Sequence, residues 1–457
     1  MGAIGTPERP LRVAIVGSGP SGFYAAAPLQ KCGHSVTIDM YDRLPAPYGL
    51  VRGGVAPDHP KIRSVSKVYE KIAETPGFTF MGNVHIGTDV TIETLKKHYD
   101  AIILTYGAET DRRLGIPGED LPGSHTATSF VGWYNGHPDY RELHFDLSQE
   151  NVAVIGLGNV AMDVARILAK TPDELKETDI AQHALDALAE SKVKNIFVIG
   201  RRGPVQSAFT NAEIKEMGHL AACDPVLGPG ELDLGHLDLL EAEQDNSAAR
   251  NLEILQEFAE RVPSEDKPRR MHFKFLRSPV ELRGDGHLQT MVLEKNRLEG
   301  DEPFKQKARG TGEFEELPIG LVFRSIGYKG LPIPGVPFDD RAGVVPNEEG
   351  RVTENGAVVP GLYVGGWIKR GPSGVIGTNK PDSLETVNHL IEDIASLPPC
   401  PEPSTEPIRQ ALAAAGVRVV SFADWKKIDA AEVEAGARVG KPRERFTRVS
   451  EMLALLD

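Results

Sequence analysis

Val13-Ala14-Ile15-Val16-Gly17-Ser18-Gly19-Pro20-Ser21-Gly22 decides the reading of this chain. Four apolar residues, the pattern of a buried parallel strand, run straight into glycines spaced G-x-G-x-x-G, and Phe23-Tyr24-Ala25-Ala26-Ala27 continues as helix-compatible sequence. The order is strand, tight turn, helix. Gly17 permits the turn, Gly19 lets main-chain amides approach a pyrophosphate with no Cβ in the way, and Gly22 lets the helix pack against the strand. The helix N-terminus then faces negative phosphates. The stretch predicts a dinucleotide site.

The next strand candidate, Ser35 to Asp42, ends in an acid about 25 positions after the first glycine, near the spacing at which a carboxylate accepts ribose hydroxyls. Asp42 is the preferred acid. Asp39 is its rival, because alternation alone does not say which acid closes the strand. Residues 43–60 hold too many glycines and prolines for a helix or a central strand and read as a loop leading toward the far end of the cofactor, with His59 fixed between Asp58 and Pro60. Lys61 to Glu74 has helical spacing, and Ala101 to Tyr106 is an apolar strand closing a first α/β unit.

The opening pattern returns at Asn151 to Asp163 as strand, G-x-G-x-x-A, helix, with Ala161 in place of the third glycine. The strand Val193 to Gly200 then ends in Arg201-Arg202-Gly203-Pro204, where an NAD site would carry an acid. Two guanidiniums fit a 2′-phosphate, and at about 1.5–3 kcal/mol for each charge-assisted hydrogen bond even one moves affinity by about one to two decades. The expected nucleotide is NADPH rather than NADH. Glu213 and Glu216 share one face of a candidate helix, Thr210 to Leu220. Two glycine loops imply two dinucleotides, and a flavin with a nicotinamide is the economical pairing: FAD at the first loop, NADPH at the second.

Length and composition narrow the class. At 457 residues the chain holds two or three domains, and with 40% hydrophobic and 25% charged residues it has a globular protein's composition. No apolar run is long enough for a membrane helix, and no leader pattern is visible at residues 1–10, so a cytoplasmic protein is expected. A net charge of −14 opposes nucleic-acid binding. Cys32, Cys223 and Cys400 are too few and too scattered for a C-x-x-C pair or a four-cysteine cluster, so no bound metal is expected. Lys267 to Arg277 alternates basic and apolar residues and reads as a half-buried strand with a cationic face including Arg269 and Arg270, able to steer an acidic partner. Near the end, Gly361 to Trp367 reads as a strand closing in glycines, and Ile368 to Thr378 as a glycine-rich loop suited to a flavin ring. The helical pieces after Pro398 carry no legible chemistry.

Together VGSGPSG, PYGLVRGGVAPDHP, VIGLGNVAMDVAR, GRRGP and GWIKRGPSGVIGTNK resemble the adrenodoxin reductase family of NADPH–ferredoxin reductases, especially its bacterial FprA-type members, over nearly the whole chain. The resemblance implies an α/β fold of two Rossmann-like dinucleotide-binding domains, with an NADPH domain (110–325) inserted into a discontinuous FAD domain (1–109 and 326–457). It implies FAD contacts at Ser21, Asp42, Leu50, Val84, Trp367, Gly374, Val375 and Ile376, beside the loop glycines Gly17, Gly19 and Gly22. Arg112, Leu157, Gly158, Asn159, Val160, Arg201, Arg202 and Glu213 would contact NADPH, and His59 and Glu216 would lie near the flavin–nicotinamide contact. One departure is Asp42, where the family often carries Glu.

The expected activity is hydride transfer from NADPH to FAD followed by single-electron transfer to a ferredoxin-type iron–sulfur protein, with His59 or Glu216 handling the flavin proton. The protein is expected to act as a monomer. Two other readings stay open on sequence alone: a flavin module feeding a partner subunit, as in glutamate-synthase-like β subunits, and a sensor that binds both nucleotides without turnover.

Overall fold

The computed structural model describes residues 3–457, which divide into two compact units. One contains the residues up to Thr110 together with Gly327–Val439 and Phe446–Asp457; the other contains Asp111–Ile326 and Gly440–Arg445.

In the first unit, Leu11–Val16 is buried along nearly its whole length because both faces of a parallel sheet are covered by other elements. It lies between Val36–Tyr41 and Ala101–Leu104, both parallel to it. Phe78–Met81 continues the sheet on one side and Ala357–Val364 on the other, with Arg351–Glu354 and Asn347–Glu348 added antiparallel at the edge. The order reverses at Leu11–Val16, so the crevice at its carboxyl end, where the glycine loop sits, is the switch point at which such sheets take ligands. Two apolar clusters cover the faces, one around Leu11, Phe23, Tyr69 and Trp425, the other around Ala14, Val16, Leu95 and Leu104.

Asp100, immediately before Ala101–Leu104, ties three distant chain segments together. It accepts hydrogen bonds from both terminal nitrogens of Arg9 (2.9 and 2.6 Å) and from the amides of Arg12 and Cys400 (both 2.9 Å). Burial alone would raise its carboxyl pKa, but the Arg9 guanidinium and the two amides outweigh burial and hold it below the usual carboxylate range. A depressed folded-state value stabilises the fold above the unfolded value of about 4, and that stabilisation is lost as pH falls through the folded value. Asp100→Asn is expected to cost about 3–5 kcal/mol at neutral pH by leaving Arg9 uncompensated. Urea midpoints measured from pH 7 to pH 2 should show the gap between wild type and variant narrowing below about pH 4; parallel curves would refute the assignment.

The second unit is built on six parallel strands in the order Ser124–Thr126, Leu321–Arg324, Asn151–Ile155, Asn195–Ile199, Arg269–Lys274, Cys223–Leu227. The second glycine loop follows Asn151–Ile155, again at the reversal of strand order. An antiparallel sheet of Arg277–Arg283, Thr290–Glu299 and Lys307–Pro318 packs Leu282, Met291 and Leu293 with Ala153, Ile155 and Val322. The six residues Gly440–Arg445 also belong here: Lys441 donates to the carbonyl of Ile180 (2.8 Å), and Arg445 bonds Asp179 (2.6 Å) and the carbonyl of Asn135 (3.0 Å).

Two expectations need correction. The helix expected over 61–74 is two, Pro60–Arg63 and Ser66–Ala73, with Ile62 and Val68 exposed. Arg269–Lys274 is an interior strand paired on both sides, and Arg269 and Arg270, expected on a cationic face, are half-buried with their guanidiniums on main-chain carbonyls. Arg269 donates to the carbonyls of Ala169, Lys170 and Val193, closing the C-terminal end of the glycine-loop helix, and Arg270 donates to those of Ser264, Lys267 and Arg269. The region after Pro398, in which the sequence shows no legible chemistry, includes a helix running from Phe422 to Arg438.

Candidate active site

The first loop's glycines are not alike. Gly17 has φ +104°, and a Cβ there would lie 2.7 Å from the main chain of Thr105; at Gly22 it would lie 2.3 Å from the carbonyl oxygen of Gly17. Those two glycines serve the fold. Gly19 has ordinary extended angles (φ −76°, ψ −176°), and its Cβ would meet only Gly49 Cα, at 4.0 Å. The second loop repeats the contrast: at Gly156 a Cβ would lie 2.2 Å from the Ser325 carbonyl oxygen, while at Gly158 it would meet nothing within 4 Å. In each loop the middle glycine leaves a cradle at a helix N-terminus that a methyl group would fill, which fits a pyrophosphate approached by main-chain amides.

Around the first cradle, Asp42 follows directly on the strand Val36–Tyr41 and accepts hydrogen bonds from the Ser18 amide (3.0 Å) and hydroxyl and from the Leu44 amide (2.9 Å). Asp39, its rival, is buried and already accepts from Tyr99 (2.7 Å) and Thr405 (2.6 Å). The loop after Asp42 is pinned to the cradle. The Tyr48 amide donates to the Ser18 carbonyl (2.9 Å), and Gly49 at φ +49° sets its backbone so close to Gly19 that a Cβ would come within 2.9 Å of Gly19 Cα. Tyr48 holds φ +86°, a strained angle for a bulky residue, and its ring is buried among Phe23, Tyr69 and Trp425.

Arg52, two residues beyond the half-exposed Leu50, is gripped by the C-terminal helix through both oxygens of the buried Glu432 (2.9 and 2.5 Å), with its guanidinium 4.9 Å from the centre of the Trp425 ring. His59 caps the short helix Pro60–Arg63 and is positioned by its amide on the Ala56 carbonyl (3.1 Å). Val84 lies wholly in the core; its amide donates to the Asp42 carbonyl (2.9 Å).

The glycine stretch near the chain's end closes on the same loop. Gly366, at φ +77°, leaves room for Ser21 Oγ 2.1 Å from where a Cβ would stand, and the Ser21 hydroxyl donates to Asn379 (3.1 Å). Asp382 accepts from the Gly366 amide (2.5 Å) and faces Lys369 (3.3 Å). Trp367 lies against Tyr328, ring centres 5.1 Å apart, and donates through Nε1 to the Ser373 carbonyl (3.2 Å), while Gly374 and Val375 stand exposed beside the half-buried Ile376.

In the second unit, Leu157, Gly158, Asn159 and Val160 form the loop and the start of the helix Asn159–Ala169. Asn159 Oδ1 accepts from the Thr210 amide (2.8 Å), which joins the loop to the helix Asn211–Met217 bearing Glu213 and Glu216. Arg201 and Arg202 follow the strand Asn195–Ile199, and both are exposed, as is Arg112.

Sequence reasoning passed over Arg166, which is 1% exposed and pairs with Asp163, Glu213 and Glu216. A lone arginine on an otherwise Ala-, Val- and Ile-rich helix, one turn after an aspartate, is the signal that could have found it. The cysteines stay unpaired, and burial pushes the Cys223 thiol up to about 12 and the Cys400 thiol up to about 11, so neither ionises near neutral pH.

A family model described as pyridine nucleotide-disulphide oxidoreductase matches residues 11–196. The NADPH-ferredoxin reductase FprA of Mycobacterium tuberculosis (strain H37Rv) is 47% identical, over 98% of this chain and 99% of the relative. The human mitochondrial NADPH:adrenodoxin oxidoreductase is 45% identical, over 99% of this chain and 93% of the relative. The structure of Mycobacterium tuberculosis FprA in complex with NADPH superposes with a TM-score of 0.92 at 46% identity, covering 98% of this chain and 99% of that one. With that identity over nearly the full length of both chains, the protein belongs to the adrenodoxin reductase family of NADPH–ferredoxin reductases.

Proposed function

We propose that this protein is an FAD-dependent ferredoxin–NADP⁺ reductase that takes hydride from NADPH and passes electrons one at a time to a ferredoxin-type iron–sulfur protein. The observation that carries this reading is the pair of open cradles at Gly19 and Gly158, the second followed by the exposed Arg201 and Arg202. With both nucleotides bound, nicotinamide C4 supplies the hydride and flavin N5 receives it. The chain's own part is binding and orientation. Main-chain amides at Gly19 and Ser21 would hold the FAD pyrophosphate and Asp42 its ribose, with the main chain of Val84 bonded to Asp42 behind it. Leu50, Trp367 and Gly374 to Ile376 would shield the ring. Arg201 and Arg202 would clamp the 2′-phosphate, with Arg112, Leu157 to Val160 and Glu213 along the rest of the nucleotide. His59 and Glu216 would hold or move a proton through an imidazole nitrogen and a carboxylate oxygen.

No helix among the described residues is long and apolar enough to cross a membrane. The proposed setting is a cytoplasmic monomer whose acceptor is a separate protein. Docking is not assigned to Arg269 and Arg270, whose guanidiniums are committed to main-chain carbonyls.

Anaerobic stopped-flow mixing of the yellow protein with NADPH, and separately with NADH, tests the reading. Fast loss of flavin absorbance with NADPH, at least about ten-fold faster than with NADH, is expected if one or more guanidinium–phosphate bonds contribute. Protein that takes up no FAD, or that NADPH does not reduce, would overturn it.

A further inference from the structure

Arg166 is buried on the third turn of the helix that starts at the second glycine loop, and one guanidinium there meets three carboxylates. Nη2 lies 2.6 Å from Asp163 on the same helix, Nη1 2.9 Å from Glu213, and Nε 3.6 Å from Glu216, the last two on Asn211–Met217. Val164, Ile167, Ile214 and Met217, on the same two helices, are all buried. Glu213 is itself nearly buried, whereas the Glu216 side chain remains 45% exposed. The Glu216 carboxylate therefore faces a buried cation held by two other carboxylates while the residue still reaches solvent.

Stability alone is a weak reason for such a cluster, since well-packed apolar side chains commonly serve a buried position as well as or better than an ion network. A lysine would neutralise as much charge. What only arginine supplies is a rigid fork that bonds several carboxylates in different directions at once. The second helix is tied to the glycine loop at its start, through Asn159 and Thr210, and again along its length through Arg166. Two attachments fix its rotation as well as its distance.

We propose that Arg166 is a positioning residue for the reaction: it sets the Glu216 carboxylate, through the shared grip on Glu213, in register with the second nucleotide cradle. This rests on the reading that Glu216 works beside the nicotinamide. Arg166 needs to touch neither nucleotide nor flavin. Its loss should slow hydride transfer while leaving nucleotide affinity, which the phosphate clamp supplies, nearly intact.

The test is Arg166→Lys, which keeps the charge and removes the fork, alone and combined with Glu216→Gln. The expected result is a limiting rate of flavin reduction by NADPH about ten-fold lower, with the NADP⁺ dissociation constant within about three-fold of wild type. The double variant should be no slower than Glu216→Gln alone, because the two residues act through one carboxylate. Should Arg166→Lys not fold, Arg166→Gln with Asp163→Asn, which removes one charge of each sign and leaves Glu213 and Glu216 in place, takes its place with the same expectations. A wild-type rate, a fully additive double variant, or a dissociation constant rising in step with the lost rate would overturn the proposal. Wild-type protein that NADPH does not reduce would instead overturn the reading beneath it.

Discussion

Gly19→Ala is expected to give a folded, colourless protein, and Gly17→Ala no folded protein at all, although each adds a single methyl group to the same loop. At Gly17 the methyl would stand 2.7 Å from the Thr105 carbonyl carbon and oxygen and 2.7 Å from Tyr106 Cα, on a backbone at φ +104°. All three are main-chain atoms of the segment that follows a central strand, so nothing can swing aside, and the loss should exceed about 4 kcal/mol. At Gly19 the backbone is one any residue adopts and the nearest atom is 4.0 Å away. There the methyl would occupy the space in which a pyrophosphate meets the loop amides. Weakening two charge-assisted bonds at about 1.5–3 kcal/mol each lowers FAD affinity by about 100-fold or more. Flavin absorbance per mole of purified protein, with circular dichroism melts compared against wild type stripped of FAD, measures both effects. A yellow Gly19→Ala protein would mean that the cradle is not where the pyrophosphate lies.

Replacing Arg201 and Arg202 together by alanine is expected to raise the NADPH dissociation constant by about 10²–10⁴, the sum of two charge-assisted bonds, and to leave NADH binding within about three-fold. Both arginines are exposed on the loop after a sheet strand, so the fold should not change. The salt dependence should change as well: affinity for NADPH falls with ionic strength in the wild type, and much of that slope should vanish in the variant. Equal losses for the two nucleotides would show that the pair acts on something common to both, and the phosphate-clamp assignment would fail.

The parts of the molecule that could be read in advance are those whose physics is local. Val13 to Gly22 and Asn151 to Asp163 each hold strand, turn and helix within a dozen or so residues, and in each the spacing of the small residues is itself the steric requirement. What could not be read depends on partners far along the chain. Arg269 looked like one member of a cationic face because the alternation around it is real; its carbonyl partners at Ala169, Lys170 and Val193 come from other segments. Arg166 was hidden in the same way, since two of its three carboxylates sit on a later helix. Glu432 and Trp425, which hold Arg52 beside the first loop, lie in a region whose sequence shows only helical spacing. Between Lys61 and Glu74 the periodicity was a fair guide to helix but could not show the break at Ser64 and Val65.

The strand Ala357–Val364 pairs with Ala101–Leu104, across more than half the chain. On the ribosome this means that the first unit cannot close its sheet when its N-terminal strands emerge. Val13, Ile15 and Ile103 are all buried in the finished core, but the edge of Ala101–Leu104 stays open until the last third of the polypeptide has been made. The intervening unit holds all six strands of its parallel sheet within Asp111–Ile326 and can fold first. A nascent chain of this protein therefore carries an unfinished apolar sheet through most of its synthesis. The time spent in that state, and so the exposure to aggregation, is set by how fast translation reaches Ala357–Val364.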